Sequence, residues 1–202
     1  MVTWEGFLEP ARASGLAEEM SLRSDLDPVY GLVPEDDEAW AETRGRHVSR
    51  EEYERAREEE RYFLFRTTRS WSYRPGQWRL DPACPFTLEE LAQILDFVQA
   101  ATGYALSRVR VWGQRFEPGD FVGDHHEDRL GRTLTAHLPV TPGWMPGGGS
   151  ELRLYGHAGE ERIVPPLFNS FVLFDVKGHW RQAILPTPGP APVHRFLFWF
   201  YP

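Results

Sequence analysis

With 202 residues, 41% of them hydrophobic and 14% aromatic, the chain carries enough apolar surface for one sizeable core, and its length argues for a single domain over residues 1–202. Its 22 basic and 30 acidic residues leave a formal charge of −8, which disfavours a nucleic-acid backbone as partner and suits a soluble enzyme or binding protein. Cys84 is the sole cysteine, which excludes an internal disulfide framework and a cysteine-based zinc site; no continuous apolar run reads as a secretory signal or bilayer span, so a cytoplasmic location without a membrane partner is expected.

Residues 1–107 read as mixed helix and loop supporting a β-rich remainder. Ser49 with Glu52, and Thr87 with Glu90, each form an S/T-x-x-E capping box, whose side chains satisfy the free backbone N–H groups at a helix start. The first box opens a helix expected over roughly 50–61, crowded with Glu and Arg and reading as a solvated outer helix, with Glu51 and Arg55 one turn apart. Tyr62–Arg66 then reads as a strand. Arg66, Arg69, Arg74 and Arg79 interleave with Trp71, Tyr73 and Trp78; such a mixture can stack nucleobases, but the acidic chain and the short patch favour a cleft rim or a packed loop. The second box opens a helix over 87–102, where Leu88, Leu91, Leu95 and Val98 recur at three- and four-residue spacing and Gly103 supplies a left-handed stop.

From residue 108 to 202 the pattern changes to short strands punctuated by glycine and proline: Val109–Phe116, Thr133–Val140, Glu151–Tyr155, Phe171–Val176, Ala183–Leu185 and His194–Tyr201. No helix-length pattern interrupts them. The chain is therefore expected to be mostly β with flanking helices, its core an antiparallel sandwich or barrel.

Gly119–Asp128, GDFVGDHHED, holds the densest set of metal-capable side chains. Residues two apart on a strand face the same way, so either His125 with Glu127 or His126 with Asp128 can grip one ion. An imidazole and a carboxylate, completed by a third ligand from a distant strand, make the facial triad that leaves positions open on non-haem iron.

Four stretches, RFEPGDFVGDHHED at 115–128, GRTLTAHLPVTPGW at 131–144, GGGSELRLY at 147–155 and FNSFVLFDV at 168–176, together with the terminal HRFLFWFYP, resemble the prolyl-hydroxylase-like branch of the iron(II)- and 2-oxoglutarate-dependent oxygenases. The resemblance covers about half the chain. It implies a double-stranded β-helix, or jelly roll, with Fe(II) held between its sheets and 2-oxoglutarate as cosubstrate. Family spacing counted from Gly119 selects His125 and Glu127 as ligands, while His126 and Asp128 form the commoner His-x-Asp pair. The family's third ligand, a histidine, falls by gapless spacing on Gln182; His179, three residues earlier, is the ligand if the register shifts. Arg195 takes the place of the cation that binds the distal carboxylate of 2-oxoglutarate, for which a planar guanidinium is suited. Phe116 stands where many relatives carry a tyrosine.

The resemblance implies an oxygenase that hydroxylates an amino-acid, peptide, protein or small natural-product substrate, with His125, Glu127 and His179 on iron and Arg195 on the cosubstrate. Two rivals stand beside it: a jelly-roll binding module whose iron site is degenerate, and a metal-dependent isomerase or hydrolase on a similar fold.

Overall fold

The computed structural model describes residues 1–32, 46–56, 62–67, 71–126, 131–156, 159–176, 181–189 and 191–202. In chain order the elements are β1 (Val2–Trp4), α1 (Pro10–Leu22), β2 (Asp27–Leu32), β3 (Arg46–His47), α2 (Arg50–Ala56), β4 (Tyr62–Thr67), β5 (Trp71–Tyr73) and α3 (Leu88–Thr102). Then come β6 (Arg108–Phe116), β7 (Val122–His126), β8 (Leu134–Pro139), β9 (Leu152–Tyr155), β10 (Glu161–Val164), β11 (Phe171–Asp175), β12 (Arg181–Ile184) and β13 (Val193–Tyr201). The larger sheet runs β1-β11-β8-β13-β6-β4-β2-β3, with β5 also on β6, and the smaller runs β10-β9-β12-β7. Every pairing is antiparallel. Strands β6 to β13 thus divide between two facing sheets, β11-β8-β13-β6 and β10-β9-β12-β7, the arrangement of a jelly roll.

Strand alternation builds a core on each face of the large sheet, and Leu197, Trp199 and Tyr201 of β13 form a further buried cluster with Trp112. Even-numbered Phe196, Phe198 and Phe200 of β13 join Ala136 and Leu138 of β8 and Phe171 and Leu173 of β11 on one face of the large sheet. Helices α1 and α3 cover this face with Leu16, Met20, Leu91, Ile94, Leu95 and Val98, each such buried side chain contributing roughly 1.5–3 kcal/mol. The opposite face meets the small sheet through Phe116, Val172, Phe174 and Val193 against Leu152, Leu154 and Ile184.

Helix α3 begins as its capping box requires: Thr87 accepts from Glu90 N, the Glu90 carboxylate accepts from Thr87 N, and Gly103 ends the helix at φ 73°. At α2 the Ser49 hydroxyl accepts from Glu52 N, and the one-turn ion pair is Arg50 with Glu54 at 2.8 Å. Several elements differ from the sequence expectation. Helix α1 has no side-chain N-cap, only Pro10 in its first turn, and its hydrophobic pattern is weak. Strand β10 is exposed along three of its four residues. Trp71 and Tyr73 are not a rim: β5 turns both into the core beneath α3, whereas Trp78 is 92% exposed. The strand expected at 183–185 begins at Arg181, which brings Gln182 into the small sheet.

Candidate active site

The inner face of the jelly roll carries the polar groups that a hydrophobic core would not retain without use. On β13, Arg195 lies opposite Gln114 of β6 and Pro139 of β8, and the next inner row places Leu197 opposite Trp112 and His137. In the facing sheet Gln182 of β12 pairs with both His125 of β7 and Leu154 of β9. Leu154 belongs to the core between the sheets, so the register puts Gln182 and His125 on that same inner face.

These side chains form a chain of hydrogen bonds. The His125 Nδ1–H donates to Gly123 O at 2.9 Å, leaving Nε2 as the lone-pair nitrogen. The Gln182 amide nitrogen donates to that Nε2 at 3.4 Å, and His137 Nε2 donates to Gln182 Oε1 at 3.0 Å. A metal-ligating histidine characteristically donates its other ring N–H to a backbone carbonyl, the arrangement His125 has. His125 Nε2 is a lone-pair donor of the kind a divalent metal takes, but the atom 3.4 Å from it is the Gln182 amide nitrogen, which donates and does not ligate. Among the described residues no group of three His, Cys, Asp or Glu side chains is placed to hold a metal ion.

Arg195 is 1% exposed and heads the large, fully buried side chains. Its Nη2 donates to Ser150 O at 2.5 Å, and its guanidinium carbon lies 4.9 Å from the centroid of the Phe116 ring. Its Nε is buried without a partner, and among the described residues no carboxylate forms an ion pair with it. Burial lowers this guanidinium to about 9, opposed by the Glu151 charge, so it remains a cation at neutral pH. A buried cation outside a close ion pair is costly; a ligand carboxylate, bound through two parallel N–H donors, offsets that cost. Gln114, across the ladder, likewise has its Oε1 buried without a partner.

The wall behind Arg195 is tightly built. Ser150 and Thr187 are fully buried and share a hydroxyl hydrogen bond of 2.5 Å, and Trp144 Nε1 donates to Gly149 O at 2.9 Å. Gly149 sits at φ +74°, and a Cβ there would stand 2.1 Å from Pro186 O.

The other polar groups among the described residues stand apart from this chain of hydrogen bonds. Position 126 pairs with Arg181, whose guanidinium bonds Asp124 at 2.8 Å on the outer side of the small sheet. Glu127, Asp128 and His179 lie outside the described residues. Asp175 accepts from the Tyr104 hydroxyl. His194 shares the helix-covered parity with Phe196; it is buried, and burial and the Arg115 charge lower its imidazole to about 4. His137 has Gln182 as its hydrogen-bond partner. Gln114, Ser150 and Thr187 carry no sequence motif; only the ladder and the return of 144–150 toward β13 bring them to Arg195.

No protein-family model and no curated protein matches the sequence. Solved structures do resemble the fold. A prolyl-4-hydroxylase from Pseudomonas putida superposes with a TM-score of 0.65 at 20% identity, covering 99% of this chain and 91% of that one. A Trichoplax adhaerens prolyl hydroxylase, in complex with a hypoxia inducible factor oxygen degradation domain peptide fragment, gives 0.63 at 13% identity over 99% and 82%. A 2OG-Fe(II) oxygenase family oxidoreductase from Burkholderia pseudomallei gives 0.56 at 10% identity over 92% and 78%.

Proposed function

We propose, from the jelly-roll fold that the chain shares with solved prolyl hydroxylases and a 2OG-Fe(II) oxygenase, that it is itself an iron- and 2-oxoglutarate-dependent oxygenase. The carrying observation is Arg195, a buried cation in no ion pair with a described residue, one inner-face row from the His137–Gln182–His125 chain. With dioxygen as oxidant, bound iron and 2-oxoglutarate would together supply the hydroxylation of an unactivated C–H bond, one oxygen atom going to the substrate and the other to the succinate formed as carbon dioxide leaves.

His125 would hold the metal through Nε2, its ring fixed by the bond to Gly123 O. Glu127, two residues on in the sequence, is the proposed carboxylate. Gln182 stands opposite His125 in the ladder and is proposed as the third ligand in place of His179, through Oε1. That use requires the amide to turn, so that its nitrogen donates to His137 Nε2 and His137 carries its proton on Nδ1. Arg195 would take the distal carboxylate of the cosubstrate, with Phe116 packed against the guanidinium where a tyrosine hydroxyl is common. Buried apolar residues around the clamp keep water from competing for it.

Gln182 also motivates the second reading, a carboxylate-binding module whose metal site is too weak for turnover, because a neutral amide is a poorer iron ligand than imidazole. The deciding experiment supplies iron, ascorbate and 2-oxoglutarate with candidate peptides. It measures succinate, with mass spectrometry for added oxygen. Succinate formation that depends on iron and on Arg195 supports the oxygenase. Tight 2-oxoglutarate binding without succinate, across iron concentrations, supports the binding module.

A further inference from the structure

Gln114 stands directly opposite Arg195 in the ladder of β6 with β13, and its parity is that of Trp112 and Phe116, which face the small sheet. It is 4% exposed against 1% for Arg195. A carboxamide taken that far from water is costly unless both of its ends are hydrogen-bonded. Yet Gln114 Oε1 is buried without a partner, and so is Arg195 Nε. An acceptor lacking a donor and a donor lacking an acceptor thus face each other across one ladder position. The two atoms stand equally many bonds from their Cα atoms, and directly opposed Cβ atoms of an antiparallel pair are about 4.5–5.5 Å apart. Rotation about side-chain bonds therefore brings them within hydrogen-bond reach. Around them the Phe116 ring and the Ser150 carbonyl meet the guanidinium, and neither can donate to an anion.

We propose that Gln114 is a second binding residue for the carboxylate that Arg195 receives. With the anion in place, Arg195 Nε–H donates to Gln114 Oε1, and that bond turns the amide so that its Nε2–H donates to a carboxylate oxygen beside the guanidinium. One anion then satisfies every polar atom the pair leaves buried, and the guanidinium is held flat for two parallel donors. A neutral amide suits this place because Arg195 already supplies the single positive charge that one carboxylate needs. A second cation would leave an uncompensated charge in the core, and a carboxylate would pair with Arg195 itself and displace the ligand. The identity of the ligand as 2-oxoglutarate rests on the oxygenase reading; the role of Gln114 toward a carboxylate holds equally for a binding module.

The test is calorimetry on the full chain and on Gln114→Leu and Gln114→Glu, with glutarate in the absence of metal and 2-oxoglutarate with and without manganese. Thermal unfolding without ligand is recorded for each protein. Gln114→Leu keeps most of the bulk and removes the amide. Both ligands should bind it at least tenfold more weakly, with manganese affinity within a factor of three and an unfolding temperature no lower than that of the wild type, since a buried acceptor without a partner is lost. Gln114→Glu should unfold at a higher temperature and bind both ligands at least a hundredfold more weakly, its own carboxylate occupying the guanidinium. A lower unfolding temperature with unchanged affinity in Gln114→Leu would make the residue structural and overturn the proposal. Should Gln114→Leu not fold, Gln114→Glu decides: wild-type affinity for both ligands in that variant overturns it. Manganese-enhanced binding of 2-oxoglutarate that is indifferent to Gln114 overturns this proposal alone, whereas glutarate binding that depends on Gln114, with no enhancement of 2-oxoglutarate binding by manganese, overturns the oxygenase reading alone. A wild-type protein that binds neither ligand overturns both.

Discussion

Gln182 donates its amide N–H to His125 Nε2 across 3.4 Å, from the adjacent strand and in direct register with it. The nitrogen that would hold a metal is therefore capped by the side chain that would be its neighbour on the metal. His137 holds the other end of the same amide.

Changing that amide should change metal affinity. Gln182→His supplies a stronger donor at the same ladder position, and its manganese or cobalt affinity is expected to rise at least tenfold by calorimetry, equivalent to about 1.4 kcal/mol. His179→Ala should alter it less than threefold. Loss of metal binding in His179→Ala, with no gain in Gln182→His, would assign the third ligand to His179.

Arg195→Leu removes the clamp and touches no proposed metal ligand. Its 2-oxoglutarate affinity should fall at least a hundredfold, the scale of losing a buried charge-assisted pair at roughly 3–5 kcal/mol, while manganese affinity stays within a factor of three. Because the substitution also removes a buried cation that forms no ion pair with a described residue, thermal stability without ligand should not drop. A destabilised protein with unchanged cosubstrate affinity would make Arg195 a structural residue.

Much of the fold was legible because alternation and punctuation survive in the sequence. The capping box at Thr87 and Glu90, the glycine stop at 103 and the strand runs at 109–116 and 171–176 are local signals, and the elements stand close to where those signals put them. Strand β10 is exposed and lacks an apolar side to mark it, and α1 lacks a cap signal, so neither announced itself. The site is harder to read for a different reason. Gln182 and His137 are 45 residues apart, and Arg195 meets the carbonyl of Ser150 at the same separation. Sheet register brings them together, and no spacing rule encodes it. The family resemblance put a cation at Arg195 in the terminal strand.

Acid should destabilise the protein through His194. Its imidazole is held neutral, at about 4 in the fold against an ordinary 6.5. The stability present above pH 6.5 is lost as the pH falls from 6.5 toward 4, where the unfolded chain binds the proton first. The loss approaches about 3 kcal/mol. Urea unfolding across this range should show the decline, and His194→Phe should flatten it; an identical pH profile in the variant would assign the decline to other groups.

Gly149→Ala tests the wall behind the clamp. The new methyl would meet Pro186 O at 2.1 Å with the backbone at φ +74°. A loss on the order of 3 kcal/mol is expected in urea unfolding, from combined overpacking and backbone strain. A variant within about 0.5 kcal/mol, the usual tolerance of unconstrained sites, would mean that the 144–150 segment can withdraw from Arg195.

Metal and 2-oxoglutarate are proposed to share the space between His125 and Arg195, and on this the oxygenase reading stands or falls. Isothermal calorimetry of 2-oxoglutarate into the wild-type protein, with and without saturating manganese, tests it most directly. Cosubstrate binding is predicted to be at least tenfold tighter with manganese, and His125→Ala to lose that enhancement. Identical affinity in the presence and absence of metal, or no binding under either condition, would contradict it.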